Sequence, residues 1–185
     1  MIGVAGIAVD GREWGYMRAL LIAGRSGVGK STVSYEVSEL LRQHDVAHAL
    51  VDGDNLDAVH PSVEGSSLAE ANLRAIWSNY RALGHDRMIY VNTVSVLESE
   101  MIRRAIGKDA EISGILLTAS DDTAEERLRT REIGSTLDVH IERSAAAAGF
   151  LEDAAPDWVH RVPTDGRSVT EIAASILRLT GWLDG

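Results

Sequence analysis

The chain contains no cysteine. This removes disulfides, thiolate catalysis and cysteine-based zinc sites from consideration. It is compatible with a reducing compartment, and a cytoplasmic location is expected. No apolar run approaches the roughly 18 residues of a membrane span. Positive charge is scarce: 18 Lys and Arg stand against 28 Asp and Glu, for a formal net charge of −10. Nucleic-acid and membrane-surface partners require clustered Lys and Arg to meet phosphates, so neither is expected. A small anion needs only a local positive pocket and is not excluded. The histidines show no metal-ligand spacing. No repeat, low-complexity tract or linker is present.

The 185 residues suffice for one α/β domain with a proper core and not for two. Residues 1–16 are mildly apolar but lack the basic start of a signal peptide. Met17 lies just before the first apolar run, so 1–16 reads either as an N-terminal extension or as an ordered edge segment covering Trp14 and Tyr16, with 17–185 as the domain.

From there apolar runs alternate with helical patterns. Strands are expected at 18–23, 47–51, 88–94, 112–118 and 158–162. Helices are expected at 30–43, 68–83, 97–106, 122–132, 137–148 and 169–179, with a break at Gly134, Ser168 as an N-cap and Gly181 just past the last helix. This alternation specifies an α/β fold: a parallel sheet with helices on both faces.

Between the first strand and first helix stands G-R-S-G-V-G-K-S-T: Gly24, Arg25, Ser26, Gly27, Val28, Gly29, Lys30, Ser31 and Thr32. The glycines let the backbone wrap phosphates with its N–H groups inward, and the helix N-terminus adds a favourable dipole. Lys30 reaches the β- and γ-phosphates, and the Ser31 hydroxyl binds Mg²⁺. This is a P-loop, and ATP with Mg²⁺ is the expected cofactor pair. The second strand ends in VDGDN, 51–55. Asp52 is expected on the metal side and Asp54 as the base that takes a proton from an acceptor hydroxyl. Taken alone, the same residues also make an ordinary solvated turn.

The pair GRSGVGKST and VDGDN, with VHP at 59–61 and TDGRS at 164–168, resembles the small P-loop kinases, in particular adenylylsulfate and gluconate kinases. The resemblance implies a P-loop NTPase fold of five parallel strands with a helical lid, and phosphoryl transfer to a small-molecule acceptor. It also implies that the acidic turn lies at the acceptor and that the late loop packs on the adenine. The chain has VNTVSVLESE where adenylylsulfate kinases carry F-I-S-P-Y-R, and it lacks their K-G-L-Y lid segment. NLRAIWSNYR, 72–81, resembles a helix of bacterial kinase-like ATP-binding proteins.

DDTAEERLRTRE, 121–132, places Arg127 and Arg131 four apart on one helical face, where two guanidinium groups can close over phosphates. Arg143 on the next helix is a further candidate, and Arg129 is expected to pair with Glu125. Trp77 and Tyr80, three apart on a helix, suit either an acceptor-stacking surface or the core. His60 is a candidate acceptor-side residue, and Arg167 a candidate contact to the nucleotide base.

Three rivals to a kinase remain. A nucleotide switch lacks support because no N-K-x-D motif occurs and no D-x-x-G follows a strand. An ATPase motor lacks a transporter signature. A degenerate nucleotide binder is suggested by the third strand, which ends without Asp. The acceptor and the choice between monomer and homodimer stay open.

Overall fold

The computed structural model describes residues 16–62, 65–131 and 137–183. Residues 1–15 and the expected break at Gly134 lie outside the described residues.

The chain runs β1 (Arg18–Ala23), α1 (Lys30–Gln43), β2 (Ala49–Asp52), α2 (Leu68–Ala82), β3 (Arg87–Val91), α3 (Ser99–Ile106), β4 (Glu111–Thr118), α4 (Asp121–Arg131), α5 (Leu137–Ala154), β5 (His160–Pro163) and α6 (Val169–Thr180). Short 3₁₀ turns occupy Gly53–Asn55 and Ser95–Leu97. All strand pairs are parallel, in the order β2-β3-β1-β4-β5. β1 therefore sits at the centre, with Leu20 opposite Ile89 on one side and Ser113 on the other.

Because side chains alternate along a strand, β1 feeds two cores. Ala19, Leu21 and Ala23 pack with Met88, Tyr90 and Leu116 under α2, α3 and α5. Leu20 and Ile22 pack with Ile89, Val91, Ile115 and Leu117 under α1 and α6. The apolar stripe of α1, Val33, Val37 and Leu41, covers the second face. The last helix is closed at both ends. Ser168 and Glu171 form a capping box, and Gly181 takes the left-handed conformation at φ 61°.

Several element ends differ from the pattern reading, each for a side-chain reason. β3 stops at Val91 rather than at 94, because Asn92 Oδ1 accepts the Val94 N–H at 3.0 Å and turns the chain. β2 begins at Ala49, since His48 is held off the strand by Ser38 Oγ and the Val46 carbonyl. α5 runs past Gly149 to Ala154, its Leu151 buried against the sheet. β5 begins two residues late because Val159 N–H bonds the Pro156 carbonyl in a turn.

Candidate nucleotide and acceptor site

All five strands point their C-terminal ends to one edge, where ligands of such sheets bind. There β1 opens into the P-loop. Gly24, Gly27 and Gly29 have φ of 145°, 82° and 99°, a region that favours glycine. Close approach adds to the requirement. A Cβ on Gly24 would lie 2.7 Å from the Leu117 carbonyl oxygen, and one on Gly27 would lie 2.5 Å from that of Ala124. The loop is thus wedged between β4 and α4. Its Gly24 N–H also bonds the Thr93 carbonyl at 3.1 Å, tying it to the end of β3.

Gly29 is the N-cap of α1 and no side chain caps that end. The leading N–H groups of α1 are therefore not taken by a capping side chain, and with the positive end of the dipole they suit an anion. Lys30 Nζ donates to the Gly24 carbonyl at 2.8 Å and the Arg25 carbonyl at 3.2 Å, bending back over the loop. Ser31 and Thr32 stand exposed on the first turn of α1. This cradle fits a triphosphate, with Ser31 positioned to contribute to its Mg²⁺.

Arg25 does not reach into the cradle. Its side chain is buried; Nε donates to Ser144 Oγ at 2.8 Å, and the guanidinium pairs with Asp121. Ser144 Oγ in turn donates to the Ser26 carbonyl at 2.8 Å. Arg25 and Ser144 thus bolt the P-loop to α4 and α5. Arg127 crosses from α4 to the loop on the other side. Its Nη1 donates to the Val28 carbonyl at 3.2 Å and to Thr164 Oγ1 at 3.0 Å. Thr164 is buried in the loop after β5, and its N–H bonds the Thr118 carbonyl at 2.9 Å. The neighbouring Asp165 accepts from the Ser120 N–H and hydroxyl; the Thr123 hydroxyl first, and then these Ser120 bonds, lower its carboxyl pKa from the usual value.

On the other side of the P-loop, β2 ends at Asp52. Asp52 Oδ1 accepts the Asp54 N–H at 3.0 Å and caps the 3₁₀ turn. One of its oxygens is therefore occupied in holding the turn. Partial burial and the charge of Asp52 raise the Asp54 pKa, Lys30 opposes this, and Asp57 adds to it. Beneath the turn lies the Tyr90 hydroxyl; a Cβ on Gly53 would come within 2.5 Å of it. Tyr90 donates to Glu98 Oε2 at 3.3 Å, and Asn92 Nδ2 donates to the same oxygen at 3.4 Å. Burial raises the Glu98 pKa; the Tyr90 bond opposes it, and the charges of Asp57 and Asp54 add to it. Burial also raises the Tyr90 phenol, with the charge of Glu98 acting in the same direction.

Three of the expected residues lie elsewhere. Trp77 is buried in the core with Leu73 and Tyr90, so its ring is unavailable for stacking. Tyr80 lies near the C-terminal end of α2, edge-on to His85 with ring centroids 6.3 Å apart. That end leads into the start of β3, at the opposite edge of the sheet from the P-loop. Arg167 turns away from the site and donates to the Pro163 and Glu171 carbonyls and to Ser175 Oγ. His60 is exposed beyond the acidic turn. Arg131 ends α4, and its side chain lies outside the described residues. Arg143 is exposed on α5, and Arg129 pairs with Glu125 as its spacing suggests. Tyr90, Asn92, Glu98, Ser144 and Thr164 were missed. Only Asn92, a turn-forming residue at the end of an apolar run, carries a local signal.

This architecture defines a P-loop kinase fold, a parallel α/β sheet with a helical pair after β4. The sequence profile of the family described as Adenylylsulphate kinase matches residues 17–128, more than half of the chain, and the chain belongs to that family. A comparison with curated proteins finds no match. Among solved structures, a tunicamycin resistance protein from Deinococcus radiodurans is similar at 16% identity and TM-score 0.61, covering 89% of this chain and 96% of that one. A gluconokinase from Sinorhizobium meliloti 1021 is similar at 15% identity and TM-score 0.58, covering 91% and 93%. The APS kinase of Mycobacterium tuberculosis, in complex with AMPPNP and APS, is similar at 19% identity and TM-score 0.55, covering 90% and 98%. No helix among the described residues is long and apolar enough to cross a membrane.

Proposed function

We propose that the protein transfers the γ-phosphate of ATP to a hydroxyl of a small molecule. The P-loop backbone from Gly24 to Thr32 wraps the phosphates, and Lys30 swings from the loop carbonyls onto the β- and γ-phosphates. Ser31, with Asp52, would hold a Mg²⁺ bound to the phosphates, which would supply positive charge against that of the departing diphosphate. Asp54 accepts the proton of the attacking hydroxyl. Arg127 lies against the P-loop and Thr164, and supports the nucleotide; Arg131 is the second lid cation.

The observation that carries this reading is that the P-loop with Lys30, after β1, and the Asp52–Asp54 turn, after β2, stand at the same end of one parallel sheet, with the charge of Lys30 acting on Asp54. A base and a phosphate-binding cation within electrostatic reach are what in-line transfer between them requires. A raised pKa also makes Asp54 a stronger base than an ordinary aspartate.

Asp54→Asn tests the reading. Turnover, measured as ADP release with an acceptor, is expected to fall by about 10²–10³ while ATP binding is retained. Unchanged turnover would remove Asp54 from the mechanism.

A further inference from the structure

The P-loop is gripped from outside by two helices that come late in the chain. Ser144, on α5, donates from Oγ to the Ser26 carbonyl at 2.8 Å. Arg127, on α4, donates from Nη1 to the Val28 carbonyl at 3.2 Å. The carbonyls of alternate loop residues are therefore drawn outward. Within a trans peptide unit the C=O and the N–H point in opposite directions. Drawing out the Ser26 and Val28 carbonyls thus turns the Gly27 and Gly29 N–H groups away from the helices, toward the inner side of the loop. Neither N–H has a partner among the described residues.

The Ser144 hydroxyl has another acceptor within reach of its type. A serine inside a helix can turn to the carbonyl of its own preceding turn. Arg25 selects against that. Its Nε donates to Ser144 Oγ at 2.8 Å, and a guanidinium offers donors only. The hydroxyl therefore accepts from Arg25, and its one proton is left for the Ser26 carbonyl. Arg25 is itself oriented by Asp121 at the start of α4. Arg25 is 4% exposed and Ser144 2%, so water does not compete for these bonds.

We propose that Ser144 is a positioning residue for polyphosphate binding. Oriented by Arg25, it holds the Ser26–Gly27 peptide so that the Gly27 N–H donates to a phosphate oxygen. The competence of the loop then depends on a serine 118 residues further along the chain. The inference rests on the reading of residues 24–32 as a phosphate cradle and requires no acceptor.

The test titrates the full chain with inorganic tripolyphosphate and Mg²⁺ in a calorimeter. Ser144→Ala is expected to bind about five- to tenfold more weakly than the parent. Ser144→Thr keeps the hydroxyl and is expected to stay within about twofold of the parent. Ile106→Val removes a methyl group from the core at the other end of the sheet, and it too should stay within about twofold. It separates lost stability from a misdirected loop. Should Ser144→Ala fail to fold, Arg25→Met takes its place, with the same loss expected. In proton–nitrogen NMR spectra of the parent, the Gly27 amide proton should move downfield as tripolyphosphate is added, and less so in the variant. Affinity unchanged in the Ser144 or Arg25 variant, an equal loss in Ile106→Val, or a Gly27 amide that does not respond overturns the proposal. A parent that binds no tripolyphosphate overturns the cradle reading and this proposal together. A Ser144-dependent loss in a chain that releases no ADP with any acceptor supports the proposal while the kinase reading fails.

Discussion

The two halves of the sheet's functional edge are built differently. On the β4–β5 side Arg25, Arg127 and Asp165 are each held by bonds beside the P-loop. Arg25 is tied to Ser144 and Asp121, Arg127 to Val28 and Thr164, and Asp165 to Ser120. On the β2–β3 side, Asp52, Asp54 and Asp57 are exposed, and the turn is shaped by bonds from Asp54 N–H to Asp52 Oδ1, from Leu56 N–H to the Gly53 carbonyl and from Asn72 Nδ2 to the Leu56 carbonyl. The first half is pre-organised, and on the proposed reading it holds the nucleotide, whose phosphates always present the same form. The second carries its carboxylates at the surface, and on the same reading it receives the acceptor, the partner that differs from one kinase to the next. Preorganisation is most effective where the ligand is invariant.

Four substitutions break or sharpen this contrast. Lys30→Ala removes the cation shared by both halves, and ADP production is expected to fall by about 10³ or more. Arg127→Ala acts on the nucleotide half alone. Titration with a fluorescent ATP analogue should show affinity reduced by about tenfold, with discrimination among acceptors unchanged. Ser144→Ala leaves Arg25 Nε without its partner and removes a donor from the Ser26 carbonyl. Urea unfolding should register a loss of about 1–2 kcal/mol, since a buried donor is left unsatisfied.

The smallest effect concerns pH. The folded pKa of Glu98 is raised, so protonation favours the fold: its contribution is fully present below the unfolded pKa and is lost as pH rises through the folded value. Glu98→Gln is therefore expected to be more stable than the parent at pH 7. The difference should vanish below about pH 4, where the parent is protonated as well. Urea midpoints at the two pH values check this. The same logic governs the rate. With Asp54 as the proposed base, its raised pKa is expected to move the acid limb of kcat/KM upward from that of an ordinary aspartate, with activity rising as pH increases through it.

The sequence was most legible where the chemistry is local. The P-loop is a contiguous string, and β1 and α1 occupy the residues their periodicity assigns. Strand ends were less so, because they depend on bonds such as Asn92 to Val94 or His48 to Ser38 that apolar pattern does not register. Trp77 and Tyr80 illustrate another limit. Spacing of three identifies a shared helical face, but not whether it meets the core or which end of the sheet it approaches. Ser144 and Arg25 are 119 residues apart in the chain. The approach of the Tyr90 hydroxyl to Gly53 becomes visible only once β3 is seated beside β2. The donor half was readable because it is written in one loop; the acceptor half comes together across strands.

The contact between Gly53 and the Tyr90 hydroxyl has an evolutionary consequence. The glycine in Asp-Gly-Asp leaves room for a phenol one strand away. Positions 53 and 90 are therefore expected to change together in relatives. A chain with a smaller residue at 90 gains space for a side chain at 53, and with it freedom to re-aim both carboxylates. Drift at one interior aromatic would then be a route by which such enzymes acquire new acceptors, with the phosphate cradle left untouched.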